Sequence, residues 1–211
     1  MVFVTLVYFI LNDHLLTYSS HVEGTRFFSS RSIFITMSVA SVGRFLYFAY
    51  GSNLLKERLQ LKNPSATFVS TGRLKDYKLR FGFWGENVQS CWHGGSATVE
   101  FSPGADVWGV VWSLSDEDLI NLDNQEGVDA GHYDPLGVSV ETDEGTVLCR
   151  TYQMNNFHAA LPSPQYKQVV CLGAEQNKLP DEYVTRLKDI QTNNYSGPSI
   201  RDQIVLPSSE N

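Results

Sequence analysis

Phe45 to Tyr50 (FLYFAY) is an unbroken apolar and aromatic run, the pattern of a buried strand. Gly51-Ser52-Asn53 interrupts it, and Leu54, Leu55, Arg58 and Leu59 then recur at helical spacing as far as Pro64. The pattern predicts a strand, a tight polar turn and a helix. Strand-like runs follow from Thr67 to Leu74, Asp76 to Phe83, Ser96 to Phe101 and Val107 to Leu114, separated by Gly, Pro, Ser or Asn turns. Glycines and short polar residues make 85–95 a flexible connection. Ser115 to Asp118 has the Ser-x-x-Asp form of a capping box, so a helix is expected to open there. Leu119 and Leu122 mark its buried stripe, and Gly127 is its natural stop. Two further strands are expected from Gly137 to Thr142 and from Gly145 to Met154. After Pro162-Ser163-Pro164 the pattern is helical from Gln165 to Lys178. A last helix starts at Pro180-Asp181-Glu182, with Tyr183, Leu187 and Ile190 on one side.

Strands come first, with helices interspersed and then collected at the end. That order points to a mixed α/β (α+β) domain with a largely antiparallel, barrel-like sheet, not a doubly wound one. The expected organisation is an extension over 1–43, a single compact domain over 44–196 and a polar, loose tail over 197–211. Met1 to Leu11 is apolar but too short to span a membrane as a helix, and it lacks the basic flank of a secretory signal. Arg26 to Arg44 is Ser-rich with scattered Arg and faintly resembles a transit peptide. The favoured reading is an unstructured or wrongly assigned extension, with Met37 as an alternative start.

Charge narrows the function. The chain has a net charge of −7 and no Lys/Arg cluster, so neither nucleic acid nor an anionic membrane surface is an expected partner. Its 3 cysteines, Cys91, Cys149 and Cys171, are widely spaced, which suits free thiols in a reducing cytoplasm. There is no GxGxxG, Walker or HExxH pattern, so no nucleotide, metal or other cofactor is expected.

Two places can carry chemistry. At Tyr50-Gly51-Ser52-Asn53-Leu54 a strand turning into a helix gathers backbone N–H groups that favour carboxylates and oxyanions. The same residues also suit an ordinary turn capped by Ser52 or Asn53. Glu126 lies four residues after Leu122 and seven after Leu119, on their buried stripe. Desolvation and the helix C-terminus would both raise its pKa toward the range of a general acid/base. A Glu126 paired with a surface cation is the alternative. Tyr133, Tyr152 and Tyr166 could line a pocket or simply fill the core. His93, in the Trp92-His93-Gly94-Gly95 loop, reads as a turn histidine.

Five segments in register resemble the γ-glutamylcyclotransferase family: FAYGSNL (Phe48 to Leu54), WHGG (Trp92 to Gly95), VWGVVW (Val107 to Trp112), LDNQEGV (Leu122 to Val128) and LPSPQYK (Leu161 to Lys167). The resemblance spans roughly Phe45 to Ser196. It implies a small mixed barrel flanked by helices, often a homodimer, that converts γ-glutamyl amino acids to 5-oxoproline and free amino acid without a cofactor. It assigns substrate binding to Tyr47, Phe48, Ala49, Tyr50, Gly51, Ser52, Asn53 and Tyr166, and the acid/base role to Glu126. Neighbouring readings are action on γ-glutamylamines or on glutathione, and a catalytically silent binding protein on the same scaffold.

Overall fold

The computed structural model describes residues 43–204. The expectations for 1–42 and for the last residues of the tail lie outside them. In chain order the elements are β1 (Arg44–Ala49), a 3-10 turn (Ser52–Leu54), α1 (Lys56–Gln60), β2 (Thr67–Phe83), β3 (Ser96–Ser115), α2 (Leu119–Glu126), β4 (Tyr133–Thr142), β5 (Gly145–Met154), β6 (His158–Ala159), α3 (Pro164–Gln176) and α4 (Asp181–Lys188).

The sheet runs β3-β1-β5-β4-β2, and β2 pairs back onto β3, closing a five-stranded barrel with β6 appended to β2. All pairings are antiparallel except β1 with β5. Closure depends on two thin seams, Tyr47 opposite Arg150 and Arg73 opposite Glu141. The mixed α/β architecture is the one the order of elements implied, and the small barrel flanked by helices is the one the resemblance implied.

Four runs expected as separate strands are two long ones. Asp76 does not end β2: it takes a positive φ of 62° at a register shift between Lys75 and Tyr77, and its carboxylate accepts the Gly104 N–H at 2.8 Å. This bulge lets both strands bend around the barrel without breaking. The first helix is shorter than its apolar spacing suggested, because Ser52–Leu54 winds as a 3-10 turn ahead of α1. The capping box at Ser115 is not formed either. Ser115 Oγ bonds Ser65 Oγ at 3.0 Å, and the Asp118 carboxylate accepts the Ser65 N–H and hydroxyl, so both side chains tie α2 to the loop before β2.

Gly127 does stop α2, in the left-handed conformation at φ 67°. Ser163 caps α3 by accepting the Tyr166 N–H at 3.1 Å, with Pro164 in the first turn. Residues 197–204, expected within the loose tail, hold a capped 3-10 turn at Ile200–Gln203 whose Ile200 and Ile204 pack on the core.

The core fills the barrel and the space under α3. Phe48, Val99, Val110, Trp112, Val140 and Leu122 are almost wholly buried inside. Leu54, Leu55 and Leu59 are buried with Val169, Val170 and Ala174 of α3. Gly173 permits this approach, since a Cβ there would stand 2.4 Å from the Leu55 backbone nitrogen. The turn after β1 is thus clamped between barrel and helix.

Candidate active site

β1 ends at Ala49, and the chain turns at Tyr50-Gly51 instead of continuing its alternation. Tyr47 and Tyr50 therefore both face one cavity of about 120 Å³, joined by Gly51, Ser52 and Asn53, by Gln125 and Glu126 at the end of α2, by Tyr133 and Tyr152 of β4 and β5, and by Tyr166 of α3. Every sequence-predicted site residue lines this cavity except Phe48 and Ala49. Those two are fully buried in the core, and their side chains do not reach it. His93 lies outside as well, donating its N–H to Ser90 O and stacking on Tyr195.

Asn53 does not cap a helix. Its Nδ2 donates to Tyr47 Oη at 3.0 Å and to Glu126 Oε1 at 3.1 Å, while its Oδ1 accepts from Gln125 Nε2 at 3.0 Å. Gln125 Nε2 also reaches Glu126 Oε1, at 3.2 Å. Both amide donors use the same carboxylate oxygen. Oε2 has no protein donor among the described residues and is open to the cavity.

Burial pushes the Glu126 carboxyl above its ordinary pKa. Arg58 and the Gln125 and Asn53 donors pull it back, and Asp123 adds a smaller upward push. Desolvation therefore dominates, as the helical spacing implied, and the local donors decide which oxygen stays free.

The tyrosines are held by the backbone. Tyr50 donates to Tyr152 O, Tyr133 donates to Ala97 O at 2.9 Å, and Tyr166 Oη accepts the Ala97 N–H at 3.0 Å. Burial is the first cause that raises Tyr47, Tyr50 and Tyr133 well above the usual phenol range and pushes Tyr166 up to about 12. All four are neutral donors or acceptors near neutral pH. Tyr166 Oη also stands 3.0 Å from where a Cβ on Gly51 would be, so the bare turn admits the phenol. Ser52 and Asn53 N–H precede the turn's first internal bond, from Leu54 N–H to Gly51 O, so neither is used within the turn, and the Ser52 backbone lies against the Tyr166 hydroxyl. The turn itself is anchored by Trp112, whose Nε1 donates to Asn53 O at 3.1 Å.

Behind this wall, Tyr152 Oη donates to Asp123 Oδ1 at 2.5 Å, and Arg150 pairs with both Asp123 oxygens at 2.7 and 2.9 Å. Tyr152 therefore serves the support of α2 as well as the cavity. Trp84, stacked on His132 at 4.2 Å, closes another side.

Sequence reasoning missed Gln125, Arg58, Trp84 and His132. Arg58 had a usable signal: it falls four residues after Leu54 on an apolar helical stripe, the same anomaly that drew attention to Glu126. A larger groove of about 730 Å³ runs between β2, β6 and α4. Its carboxylate, Asp106, is committed to Arg73, so it holds no free base. Among the described residues no His, Cys, Asp or Glu cluster is arranged to hold a metal ion, and no helix is long and apolar enough to cross a membrane.

A small closed barrel with a desolvated carboxylate set against a strand-to-turn N–H cluster defines a barrel protein with a buried acid/base-type cavity. A model of the AIG2-like family matches residues 106–187. The gamma-glutamylcyclotransferase of Bos taurus is 54% identical over 154 residues, covering 72% of this chain and 82% of that one. That of Homo sapiens is 53% identical over the same shares. A solved structure of a gamma-glutamyl cyclotransferase superposes with a TM-score of 0.73 at 51% identity, over 76% of this chain and 98% of that one. The chain belongs to the gamma-glutamylcyclotransferase family.

Proposed function

We propose that this protein is a γ-glutamylcyclotransferase that converts γ-glutamyl amino acids to 5-oxoproline and the free amino acid, with Glu126 as its acid/base. The observation that carries the reading is Glu126 itself: desolvated, held through Oε1 by Asn53 and Gln125, and open to the cavity through Oε2.

The chemistry needs little more. Oε2 takes a proton from the substrate's α-ammonium, and the freed amine attacks the γ-carbonyl carbon of the same molecule. A C–N bond forms, and the carbonyl oxygen becomes an oxyanion facing the Ser52 and Asn53 N–H groups. As the oxyanion collapses, the bond to the departing amino acid breaks and its nitrogen takes the first proton back from Glu126. The second proton of the new ring nitrogen then passes by way of Glu126 to the freed amine, which leaves as its ammonium. No water is consumed and no covalent enzyme intermediate forms. Because nucleophile and electrophile share one molecule, the tyrosine-lined wall serves chiefly to fix the folded substrate conformer and exclude water. Tyr47, Tyr50, Gly51 and Tyr166 are the contacts assigned to substrate, with Tyr133 and Tyr152 behind them.

The finer expectations rest on resemblance and composition: a homodimer acting in the cytoplasm within glutathione and γ-glutamyl metabolism, built on the domain expected over 44–196, onto which Ile200 and Ile204 also pack. The free Cys149 and Cys171, both buried, support a reducing compartment. The test is 5-oxoproline release from γ-glutamyl-L-alanine. Glu126→Gln keeps the shape and is expected to lower kcat by about 10²–10⁴-fold, the usual contribution of a positioned acid/base. Normal turnover by the folded variant refutes the assignment. Release from glutathione or γ-glutamyl-ε-lysine, but not from the dipeptide, reassigns the substrate.

A further inference from the structure

Arg58 is a buried cation with no directly paired carboxylate among the described residues, although its charge is felt at Glu126. It is 7% exposed and takes part in no ion pair among the described residues. Its one side-chain hydrogen bond there runs from Nη1 to Gln125 Oε1 at 3.3 Å, and its guanidinium centre stands 5.7 Å from the Trp92 ring. Nε has no partner among the described residues and almost no exposed surface, so the Nε–Nη2 edge makes no hydrogen bond there, and a carboxylate that takes it displaces the atoms now covering Nε. That edge is the one that grips a carboxylate with two parallel hydrogen bonds. Arg58 lines the same cavity as Glu126, yet Glu126 takes its hydrogen bonds from two amides instead. Leaving a guanidinium desolvated and unpaired is costly. An anion arriving in the cavity offsets that cost.

We infer that Arg58 is a specificity-determining anchor for a carboxylate of the substrate, an inference that rests on the cyclotransferase reading. A γ-glutamyl amino acid brings two carboxylates of the same chemistry, one on the glutamyl α-carbon and one on the departing amino acid. The anchor explains why the cavity keeps a second charge that Glu126 does not hydrogen-bond. If the carboxylate held is the departing amino acid's, the anchor also selects ionised dipeptides over γ-glutamylamines whose acceptor side lacks a nearby carboxylate.

The experiment compares kcat/KM for γ-glutamyl-L-alanine with that for its two carboxamide analogues, one amidated at the glutamyl α-carboxylate and one at alanine. Each is measured on the full chain, on Arg58→Lys and on Arg58→Gln. The parent is expected to favour the acid over one analogue by about 10- to 100-fold, the worth of a charge-assisted bidentate contact, mainly through KM. In Arg58→Gln that preference collapses toward unity, and Arg58→Lys keeps part of it. The analogue on which the collapse appears identifies the carboxylate held. A ratio within one preparation is blind to any loss of folded protein, so a merely structural role leaves it unmoved. Equal acid-to-amide ratios in parent and variants on both analogues overturn the anchor and leave the cyclotransferase reading standing. No 5-oxoproline from any substrate with the parent overturns that reading, and the anchor with it.

Discussion

Asn53→Asp puts the proposed acid/base to a test that barely changes shape. Asn53 Nδ2 stands 3.1 Å from Glu126 Oε1 and 3.0 Å from Tyr47 Oη. The substitution replaces that donor by a carboxylate oxygen. With both acids ionised at about 3 Å and an effective dielectric of about 20, the repulsion is about 5 kcal/mol. The pair avoids most of this by retaining one proton, so Glu126 is no longer freely available as a base near neutrality. The acid limb of the kcat profile for 5-oxoproline release should move upward by at least about 1 pH unit, even after cavity water screens most of the repulsion. Stability follows with a definite sign. The shared proton gives the folded pair a raised pKa, so the folded state binds more protons than the unfolded one. The pair's contribution to stability is therefore fully present at low pH and is lost as pH rises through that raised value, a loss the parent does not show to the same extent. Asn53→Ala is the control: it removes a donor without adding charge and should move the limb in the same direction by less. An acid limb in Asn53→Asp that coincides with the parent's would refute the placement of Glu126 in catalysis.

Two further substitutions probe the supports of the cavity. Gly127→Ala forces a side chain into a backbone at φ 67° and sets its Cβ 2.4 Å from His132 Nδ1; urea denaturation should register a loss of about 2–4 kcal/mol from left-handed strain plus overpacking. A loss below about 0.5 kcal/mol would mean that the end of α2 is not held as described. Tyr152→Phe removes the hydroxyl that donates to Asp123 Oδ1 at 2.5 Å and accepts from Arg150 Nε at 3.0 Å, but leaves the two-pronged Arg150–Asp123 pair intact. Its thermal melt should report about 1–2 kcal/mol of destabilisation with kcat reduced less than in Glu126→Gln, and a kcat as low as that variant's would place Tyr152 in the chemistry instead.

What the sequence made legible was whatever a short stretch of chain decides by itself. The spacing of Leu119, Leu122 and Glu126 is an argument about one helix, and it put the carboxylate on the inner face. The polar break after Phe45 to Tyr50 is likewise local, and it marked the turn that carries Asn53. Barrel closure was only suggested by the order of elements, because it depends on Tyr47 meeting Arg150 and Arg73 meeting Glu141, pairs with no common local pattern. The apolar pattern pauses between Leu74 and Asp76 and so reads as the boundary of two strands. In the fold, a carboxylate that can bond the Gly104 N–H makes the same residue suit a bulge. Ser115 and Asp118 read locally as a capping box, and a cap is one of the readings open to Asn53, which is what such side chains do when nothing better is near. Each found a partner distant in sequence, and such partners are visible only once the chain is folded.

The polar groups around Gln125 break the rule that buried donors and acceptors find partners, and they break it together. Of four buried unpartnered side-chain atoms among the described residues, two, Arg58 Nε and Asn63 Oδ1, belong to residues that both donate to Gln125 Oε1. Gln125 in turn spends its Nε2 on Asn53 and on Glu126 Oε1. The amide is thus saturated on both sides, while the cation behind it and the second oxygen of the carboxylate ahead of it are not. Pairing Arg58 with Glu126 directly would close that gap. The resulting ion pair would hold Glu126 ionised and occupy the guanidinium edge, leaving neither a base of raised pKa nor an anion subsite. Gln125 keeps the two charges in one cavity and apart, an arrangement that makes sense if a zwitterionic substrate, offering an ammonium to one and a carboxylate to the other, completes it.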